Sequence, residues 1–580
     1  MGREKDRRLA SRHQANWTVR RRLDSLPHRN KDADGGVLIY VFGALVRHFF
    51  GRFFDTESLS PQGEPEAGVI QTLGILAAPG GFFVLLFRPL TLTGWSLVAV
   101  RSMFVSFSMI VMGFIMVFEW DALFPDRRDY QILTPQPVRL STLFLGKAAA
   151  LGIFLAIFLV DVNFFSVLMW PGVDGGQNVM GILSAHVLAV LASGLFMALA
   201  AAALQGILIT LFRGRVYRRI SVAVQTLLMA VLVMLLFLTP LLAFGIQDLA
   251  KSGSRYLYWY PGFWFIGFYE SIRPATHNAT LFHLGTWGTR ALWISGAVFL
   301  LTFLPGYRRH ARRAIETAEP GTVGPGRLAR WANAVLVRTI LRRPVEYGVF
   351  RFISHTITRS LKHRLFLATY GGFGAALAVM TVGAASDGLL RLPLTLSFLL
   401  VSGLRAAFNF PSELRANWAF QITEYHGVGE YLAATRKWIV LSAIVPLFLL
   451  LAPLEFARFG WSGACFHIVY GLTLSVALME VLFLGFHKVP FTCARFPGKV
   501  NLVGLSVVYI LGFTTYSKTM AGVEAWLEQT PAAAAAFFAA LWMATWYLSR
   551  WRAQRLEALA VLEYEDAGEP VVRTLGLNPQ

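Results

Sequence analysis

The chain has 580 residues, of which 55% are hydrophobic and only 15% are charged, and its formal net charge is +20. Soluble domains carry about 25% charged residues, and here the apolar residues come in blocks near the roughly 20-residue length that crosses a bilayer. The composition therefore excludes an ordinary soluble protein and predicts an all-α polytopic membrane protein.

Twelve apolar segments are predicted to cross the membrane, six in each half of the chain. The first six spans are predicted at 70–87, 95–118, 141–165, 180–212, 218–246 and 288–305. The second six are predicted at 364–385, 392–409, 437–455, 461–486, 500–517 and 531–549. Six spans are an even number, so both halves should insert in the same orientation, as parallel repeats about an axis along the membrane normal.

Each half is preceded by an amphipathic stretch, 37–54 in the first half and 346–364 in the second. A basic amphipathic helix beside a span is typical of a helix lying in the membrane interface. For the first stretch, a buried thirteenth span is the alternative. The predicted organisation is a disordered basic tail (1–36), a first transmembrane half (37–305), a cytoplasmic linker (306–345), a second transmembrane half (346–549) and a C-terminal tail (550–580).

Lysine and arginine are concentrated in the even-numbered connections between spans, for example in 213–219 and 307–313. By the positive-inside rule these connections face the cytoplasm, and both termini are predicted to lie there. We expect a multi-pass protein of the plasma membrane, the inner membrane of a bacterium. Topology and anionic lipid account for the positive charge, so no nucleic-acid partner is predicted.

The connection at 247–287 is long and rich in aromatic residues, with YLYWYPGFWFIGFYE at 256–270. Two interpretations stay open: an aromatic belt at the membrane interface, or a short re-entrant or membrane-lying cap over an exit route.

The sequence contains no catalytic motif. It has no GxxxxGK[ST] loop for nucleotide phosphates, and no HExxH, CxxC or GxSxG pattern. Cys465 and Cys493 are predicted on opposite sides of the membrane and cannot pair. We therefore predict no catalytic, cofactor-binding or metal-binding residue, and no enzyme activity of this chain alone. His186 and His467 occupy equivalent places early in the fourth span of each half, as expected either of a proton relay or of interfacial polar residues that pack against neighbours.

Two polar hairpins, at 118–147 and 408–437, interrupt the spans at equivalent places in the two halves. Each contains Phe-Pro, then mixed charges with aromatics, and then a basic residue that opens the next apolar helix. Exposed aromatics beside charges are typical of a partner-binding surface. The predicted partner-coupling residues are Asp126, Arg127, Arg128, Asp129, Tyr130, Gln131, Glu413, Arg415, Asn417, Trp418, Phe420 and Gln421.

The order of interfacial helix, two spans, polar hairpin and four spans resembles the permease subunits of type-2 ATP-binding cassette exporters, here as a fused double-length form. The stretch DRRDYQILTPQPVRLSTLFLGK at 126–147 resembles the segment that carries their coupling helix. The second hairpin has no equivalent of Pro135 and Pro137, and Gly427 and Gly429 make its turn instead.

The resemblance implies that two copies of a cytoplasmic ATPase subunit bind the hairpins and supply the energy that this chain, without a phosphate loop, cannot. The alternatives are an ion-coupled secondary transporter, which requires charged or broken helices at the membrane midplane, and an intramembrane lipid-modifying enzyme, which requires a catalytic cluster.

Overall fold

A computed structural model gives the fold. It describes residues 31–54, 94–123, 129, 140–176, 178–212, 214–273, 278–316, 334–384, 388–423, 428–486, 488–493, 502–559, 562 and 564. The described residues form helices joined by turns, and they contain no strand. The predicted first span at 70–87 lies outside the described residues.

The helices of the N-terminal part are long and follow the predicted spans closely. Their bounds are α1 Lys31–Phe54, α2 Leu97–Phe118, α3 Leu140–Asp174, α4 Val179–Leu211, α5 Gly214–Lys251, α6 Pro261–Ile272 and α7 Ala279–Glu316.

The helices of the C-terminal part include two short ones on the predicted cytoplasmic side. Their bounds are α8 Pro344–Arg359, α9 Leu361–Ala384, α10 Gly388–Ala407, α11 Trp418–Thr423, α12 Val428–Ile439, α13 Val445–Leu482, α14 Leu502–Glu528 and α15 Pro531–Leu559. A π-helical turn, Val440–Ile444, joins α12 to α13.

Eight helical segments in the described part of the chain are long and apolar enough to cross a membrane, which confirms a multi-pass helical membrane protein. They are Leu97–Phe118, Ser141–Asp174, Val179–Leu211, Val216–Lys251, Leu361–Gly383, Gly388–Ala407, Gly429–Leu482 and Pro531–Arg555. The predicted span at 288–305 lies within α7, and residues 502–517 of the span predicted at 500–517 lie within α14; neither helix is among the eight. The count of twelve and the two-repeat layout stay predictions.

Contacts divide the chain into two compact units. Unit 1 comprises Met1–Tyr217 and Gly245–Ala318, and unit 2 comprises Arg218–Phe244 and Glu319–Gln580. The middle of α5 therefore belongs to unit 2, although the sequence places this helix in the first half.

Helix α2 forms the centre of unit 1 and is buried along nearly its whole length. It begins at Ser96, whose side chain caps the helix by accepting from the backbone N–H of Ala99. Small hydroxyl residues let α2 and α4 approach closely: Ser108 donates to the carbonyl of Val190 at 2.8 Å, and Ser193 donates to that of Val105 at 3.1 Å. Paired in this way, buried hydroxyls avoid the cost of unsatisfied polar groups in an apolar core.

The aromatic connection after α5 is a packed part of unit 1, not an unstructured loop. Its helix α6 buries one face, including Phe263, Phe265 and Tyr269, between α4 and α7. Gly267 and Gly285 mark the crossing of α6 and α7, where a Cβ on Gly267 would lie only 2.3 Å from the backbone N of Gly285. The interpretation as a belt of interfacial aromatics therefore fits only the exposed residues of this segment, such as Trp259.

The two amphipathic helices are present in the structure. α1 buries Leu45, Phe49 and Phe53 and packs against α3. It begins at Lys31, six residues before the amphipathic stretch predicted at 37–54. The rest of the predicted tail, 1–30, lies outside the described residues.

Helix α8 buries Val349 and Ile353 in a core with Phe408, Trp438 and Phe491 of unit 2. Its basic face, with Arg351 and Arg359, is exposed. This division into a buried stripe and a charged stripe is the one that the sequence pattern predicts.

The third and fourth spans predicted for the second half form one continuous helical path, Gly429–Leu482, with a break at Gly460. Gly460 has φ 68° and ψ −177°, a backbone conformation open essentially to glycine alone. The helical segments before and after Gly460 pack side by side, since a Cβ on Gly471 would lie 2.5 Å from Cε1 of Phe448, so the chain turns back at the predicted boundary between the two spans.

Candidate functional site

The first hairpin is described only in part. Of its six predicted partner-coupling residues, Asp126, Arg127, Arg128, Tyr130 and Gln131 lie outside the described residues. The sixth, Asp129, is buried, and its Oδ1 lies 4.0 Å from Nε2 of His48 on α1. Such burial makes Asp129 a contact within unit 1, so it presents little surface to a partner.

Lys147, the basic residue that opens α3, is buried beneath α1. Its Nζ lies 4.4 Å from the ring centroid of Phe53 and 5.1 Å from that of Phe49, within the range of a cation–π interaction. Burial raises the pKa of Glu119, the residue that ends α2, to about 7, and the nearby charge of Lys147 opposes the rise. Lys147, at one end of the hairpin, thus contacts α1, and its charge also acts on Glu119 at the other end.

The second hairpin presents an apolar surface on the short helix α11. Trp418 is 62% exposed and Ile422 is 72% exposed, and residues four apart lie on the same face of a helix. Glu413 and Gln421 are also exposed. Of the side chain of Arg415 the structure describes nothing. Ile422 was not among the predicted coupling residues, although its spacing from Trp418 is the signal that would have found it.

The other two predicted residues of this hairpin hold α11 in place. Asn417 is buried, and its Nδ2 donates to the carbonyl oxygen of Thr492 at 2.7 Å. The ring of Phe420 packs against that of Phe352 on α8, with centroids 4.9 Å apart. Sequence analysis predicted both as partner-coupling residues and Phe420 as exposed, and in the structure both contact other segments of unit 2.

Residues 488–493 are hydrogen-bonded to the segment that contains α11. The backbone N–H of Ser412 donates to the carbonyl of Phe491 at 3.1 Å, and the N–H of Phe491 donates to that of Phe408 at 3.1 Å. Phe491 is buried and has φ 69°, which is uncommon for a residue with a side chain. Backbone and side-chain bonds together fix α11 to unit 2, so Trp418 and Ile422 are exposed on a rigid support.

The two basic residues at the start of the apolar segment after the second hairpin also form ion pairs within unit 2. Lys437 Nζ lies 2.5 Å from Oε2 of Glu346 on α8. Arg436 Nε lies 2.5 Å from Oε1 of Glu480, which is fully buried. Lys147 and Lys437 therefore play similar parts: each ties the helix after the hairpin to the amphipathic helix that precedes its half.

A second polar arrangement lies at the opposite ends of the helices of unit 1. Arg101 pairs with Asp174 and, at 3.5 Å, with Glu270, while Arg273 lies 3.3 Å from Asp174. Two arginines thus neutralise two acids contributed by α3 and α6. The sequence gives no sign of this cluster beyond the charge itself, because its members are up to 172 positions apart along the chain, from Arg101 to Arg273.

His186, one of the two predicted equivalent histidines, lies beside this cluster. Its Nε2 and Ser166 Oγ are 2.6 Å apart, and its ring stacks on Trp170 with centroids 4.8 Å apart. These contacts are those of a packed polar residue in a helical core.

In the described part of the chain, no three His, Cys, Asp or Glu side chains are arranged to hold a metal ion. Cys465 is exposed and Cys493 is buried, and both are free thiols. Comparison of the chain with protein-family models, with curated proteins and with solved structures finds no match.

Proposed function

We propose that this chain is the membrane-spanning permease subunit of an ATP-driven exporter, and that α11 docks a separate cytoplasmic ATPase subunit. The observation that carries the proposal is the pair Trp418 and Ile422, exposed on a helix fixed by Asn417 and Phe420. Large apolar side chains on rigid supports are what interfaces bury at their centres. The resemblance of the hairpins to those of type-2 exporters supplies the class of partner.

In the proposed topology the chain spans the plasma membrane of a bacterium, with α11 and both termini in the cytoplasm. The exposed basic face of α8, with Arg351 and Arg359, belongs to the same unit as α11 and suits a surface beside anionic headgroups. Transfer of energy from the ATPase subunit to the spans requires a segment of this chain that moves together with that subunit. The bonds from α11 to residues 488–493, and from α12 to α8, provide continuous contacts from the docking helix into the spans of unit 2.

Docking is tested with the purified full-length chain and the ATPase subunit identified by photocrosslinking from position 418. We expect the crosslinked protein to carry a phosphate-binding loop and to hydrolyse ATP. The double variant Trp418→Ala, Ile422→Ala should weaken its binding more than a hundredfold, since two central anchors contribute about 3 kcal/mol or more together.

The matched control is Trp526→Ala, which removes an equally exposed tryptophan from α14, in a connection predicted to face outside. Its binding of the ATPase should be unchanged. Wild-type affinity in the double variant, with a folded chain, would reject α11 as the docking helix. Charge reversal at Arg127 and Arg128 tests the first hairpin in the same assay, where the resemblance implies the larger effect.

An ion-coupled secondary transporter is the second candidate. One observation favours it: unit 2 contains a cluster of a histidine and carboxylates within the helical bundle, described next. Transport driven by a pH gradient in vesicles that contain this chain alone, with no ATPase, would decide for this alternative.

A further inference from the structure

Unit 2 contains a buried acid and histidine cluster at the positions that correspond to the charged cluster of unit 1. His467 Nδ1 is hydrogen-bonded to Glu524 Oε1, which joins α13 to α14. Like His186, His467 lies early in the fourth predicted span of its half. Like Glu270, Glu524 lies just before the sixth span. Glu455 corresponds to Asp174, since each lies near the end of the third span.

The two clusters differ in how their acids are compensated. In unit 1, Asp174 is paired with both Arg101 and Arg273. In unit 2, Glu455 is only 3% exposed, and neither of its carboxylate oxygens has a hydrogen-bond partner among the described residues. Oε2 of Glu524 and Nε2 of His467 also lack such partners in that part of the structure. Glu455 lies in a narrow cleft between α10 and α13, which is also lined by Phe459, whose ring centroid lies 5.4 Å from that of His467.

A buried ionised carboxylate without a partner is costly, and such a group binds a proton or a cation instead. A metal ion is the less suitable occupant, because the described residues offer no group of ligands arranged to hold one. A proton needs only one acceptor atom, and Glu455, Glu524 and His467 provide several within one cluster. An ionisable group inside a membrane bundle is a mark of a proton path.

The surroundings of the cluster are largely apolar. On α13, Tyr470 donates its hydroxyl to the carbonyl of Met520, and the exposed Arg458 lies at the rim of the cleft. α15 contributes the rings of Phe537 and Phe538, which contact Tyr470. The neighbouring helices also carry Arg391 and Arg405 on α10, and Tyr509, Tyr516, Lys518 and the exposed Glu528 on α14.

Gly460 separates the members of the cluster along α13. Glu455 precedes Gly460 and His467 follows it, so the two side chains lie on the helical segments before and after this turn. A Cβ at Gly460 would meet no atom within 4 Å, so its positive φ, not crowding, is what favours glycine there.

We propose that Glu455, His467 and Glu524 form an exchangeable proton site in unit 2, with Glu455 as the group that gains and loses the proton. The site takes up a proton from water without any covalent change: the carboxylate becomes a carboxylic acid, and the charge of the cluster rises by one. Asp174 of unit 1 is already paired with two arginines and provides no such site. The proposal does not depend on an ATPase partner.

The experiment is infrared difference spectroscopy of the purified full-length chain in lipid nanodiscs, between about pH 8 and about pH 5, the range in which a histidine-linked site exchanges protons. We expect a carbonyl-stretch band of a buried protonated carboxyl group to appear at the lower pH. Glu455→Gln should abolish it, and should lower the measured proton uptake by about one proton per chain. His467→Asn should move the midpoint of the band without abolishing it.

Asp248→Asn is the control, since it removes an exposed carboxyl group from α5, and its spectrum should match that of the wild type. An unchanged band in folded Glu455→Gln would overturn the assignment, and so would a wild-type band that persists at every pH. Replacement of sodium by choline at fixed pH tests the competing occupant, because a sodium-dependent band would show a metal-cation site instead.

Discussion

Lys437 Nζ lies 2.5 Å from Oε2 of Glu346, and this ion pair joins the start of the helical path after the second hairpin to the amphipathic helix α8. The same ammonium donates to the carbonyl of Ile340 at 3.0 Å. Glu346 is buried, so removal of the lysine leaves a carboxylate in the core without its partner.

Lys437→Met should therefore destabilise unit 2 by about 2 kcal/mol, the usual value of a hydrogen bond to a charged group together with the cost of the acid left behind. The measurement is thermal unfolding of the purified chain in detergent. Arg343→Met is the control: Arg343 is mostly exposed and pairs with Glu430 at 3.1 Å, and exposed pairs contribute about 0–1 kcal/mol. Equal effects of the two substitutions would contradict this view of the helix junction.

Glu119 makes the stability of unit 1 depend on pH. Its pKa is raised from 4.5 to about 7 by burial, so the folded state binds a proton that the unfolded state releases. The resulting stabilisation, about 3 kcal/mol at most, is complete below about pH 4.5 and is lost as the pH rises through about 7.

Glu119→Gln removes this dependence, because glutamine stays neutral. The variant should therefore gain stability relative to the wild type as the pH rises from about 4.5 to about 8, measured as the difference between their melting temperatures. Glu413→Gln, at an exposed position, should show no such trend. A constant difference between Glu119→Gln and the wild type across this range would rule out the titration of Glu119.

Most of the helices could be predicted from the sequence, because long apolar runs have few alternatives in a membrane. The residues at which prediction failed are those whose position depends on tertiary contacts. A polar residue and an aromatic residue in a hairpin are typical of an exposed surface. Asn417 is nevertheless buried with a hydrogen bond to Thr492, and Phe420 is half-buried against the ring of Phe352. These partners are 75 and 68 positions away in the chain, and local pattern contains no information about them.

The buried clusters illustrate the same limit. Arg101 and Glu455 each stand alone in apolar surroundings in the sequence, and composition shows only that a charge is there. Pairing of Arg101 with Asp174, and the lack of a partner for Glu455 in the described structure, depend on which helices pack together. The equivalence of His186 and His467 stays a prediction, which rests on their matching positions within the predicted order of spans.

The crossing of α6 and α7 should tolerate no side chain at Gly267. A Cβ there would lie 2.3 Å from the backbone of the facing helix, which cannot move aside as a flexible side chain would. Gly267→Ala should destabilise unit 1 by about 2 kcal/mol, within the usual range for overpacking. Gly245→Ala, on α5, adds a methyl group where no atom lies within 4 Å, and it should leave the melting temperature of the detergent-solubilised chain nearly unchanged. A similar loss in both variants would mean that helix propensity, not the crossing, sets the cost.

The last prediction separates the docking surface from its support. Asn417→Ala leaves the carbonyl of Thr492 without its side-chain donor and frees one end of α11, while Trp418 and Ile422 remain in place. Since an unsatisfied buried acceptor costs about 1–3 kcal/mol, α11 should open more often, and limited proteolysis within 413–423 should become faster.

Affinity for the ATPase subunit should fall by about tenfold, less than in the double variant of Trp418 and Ile422, because the apolar anchors are still present but less ordered. Gln421→Ala, at an exposed position of the same helix, is the control for proteolysis and should leave the cleavage rate nearly unchanged. Faster proteolysis with unchanged affinity would show that the partner binds elsewhere on unit 2, whereas a loss of affinity without faster proteolysis would make Asn417 a direct contact and not a support.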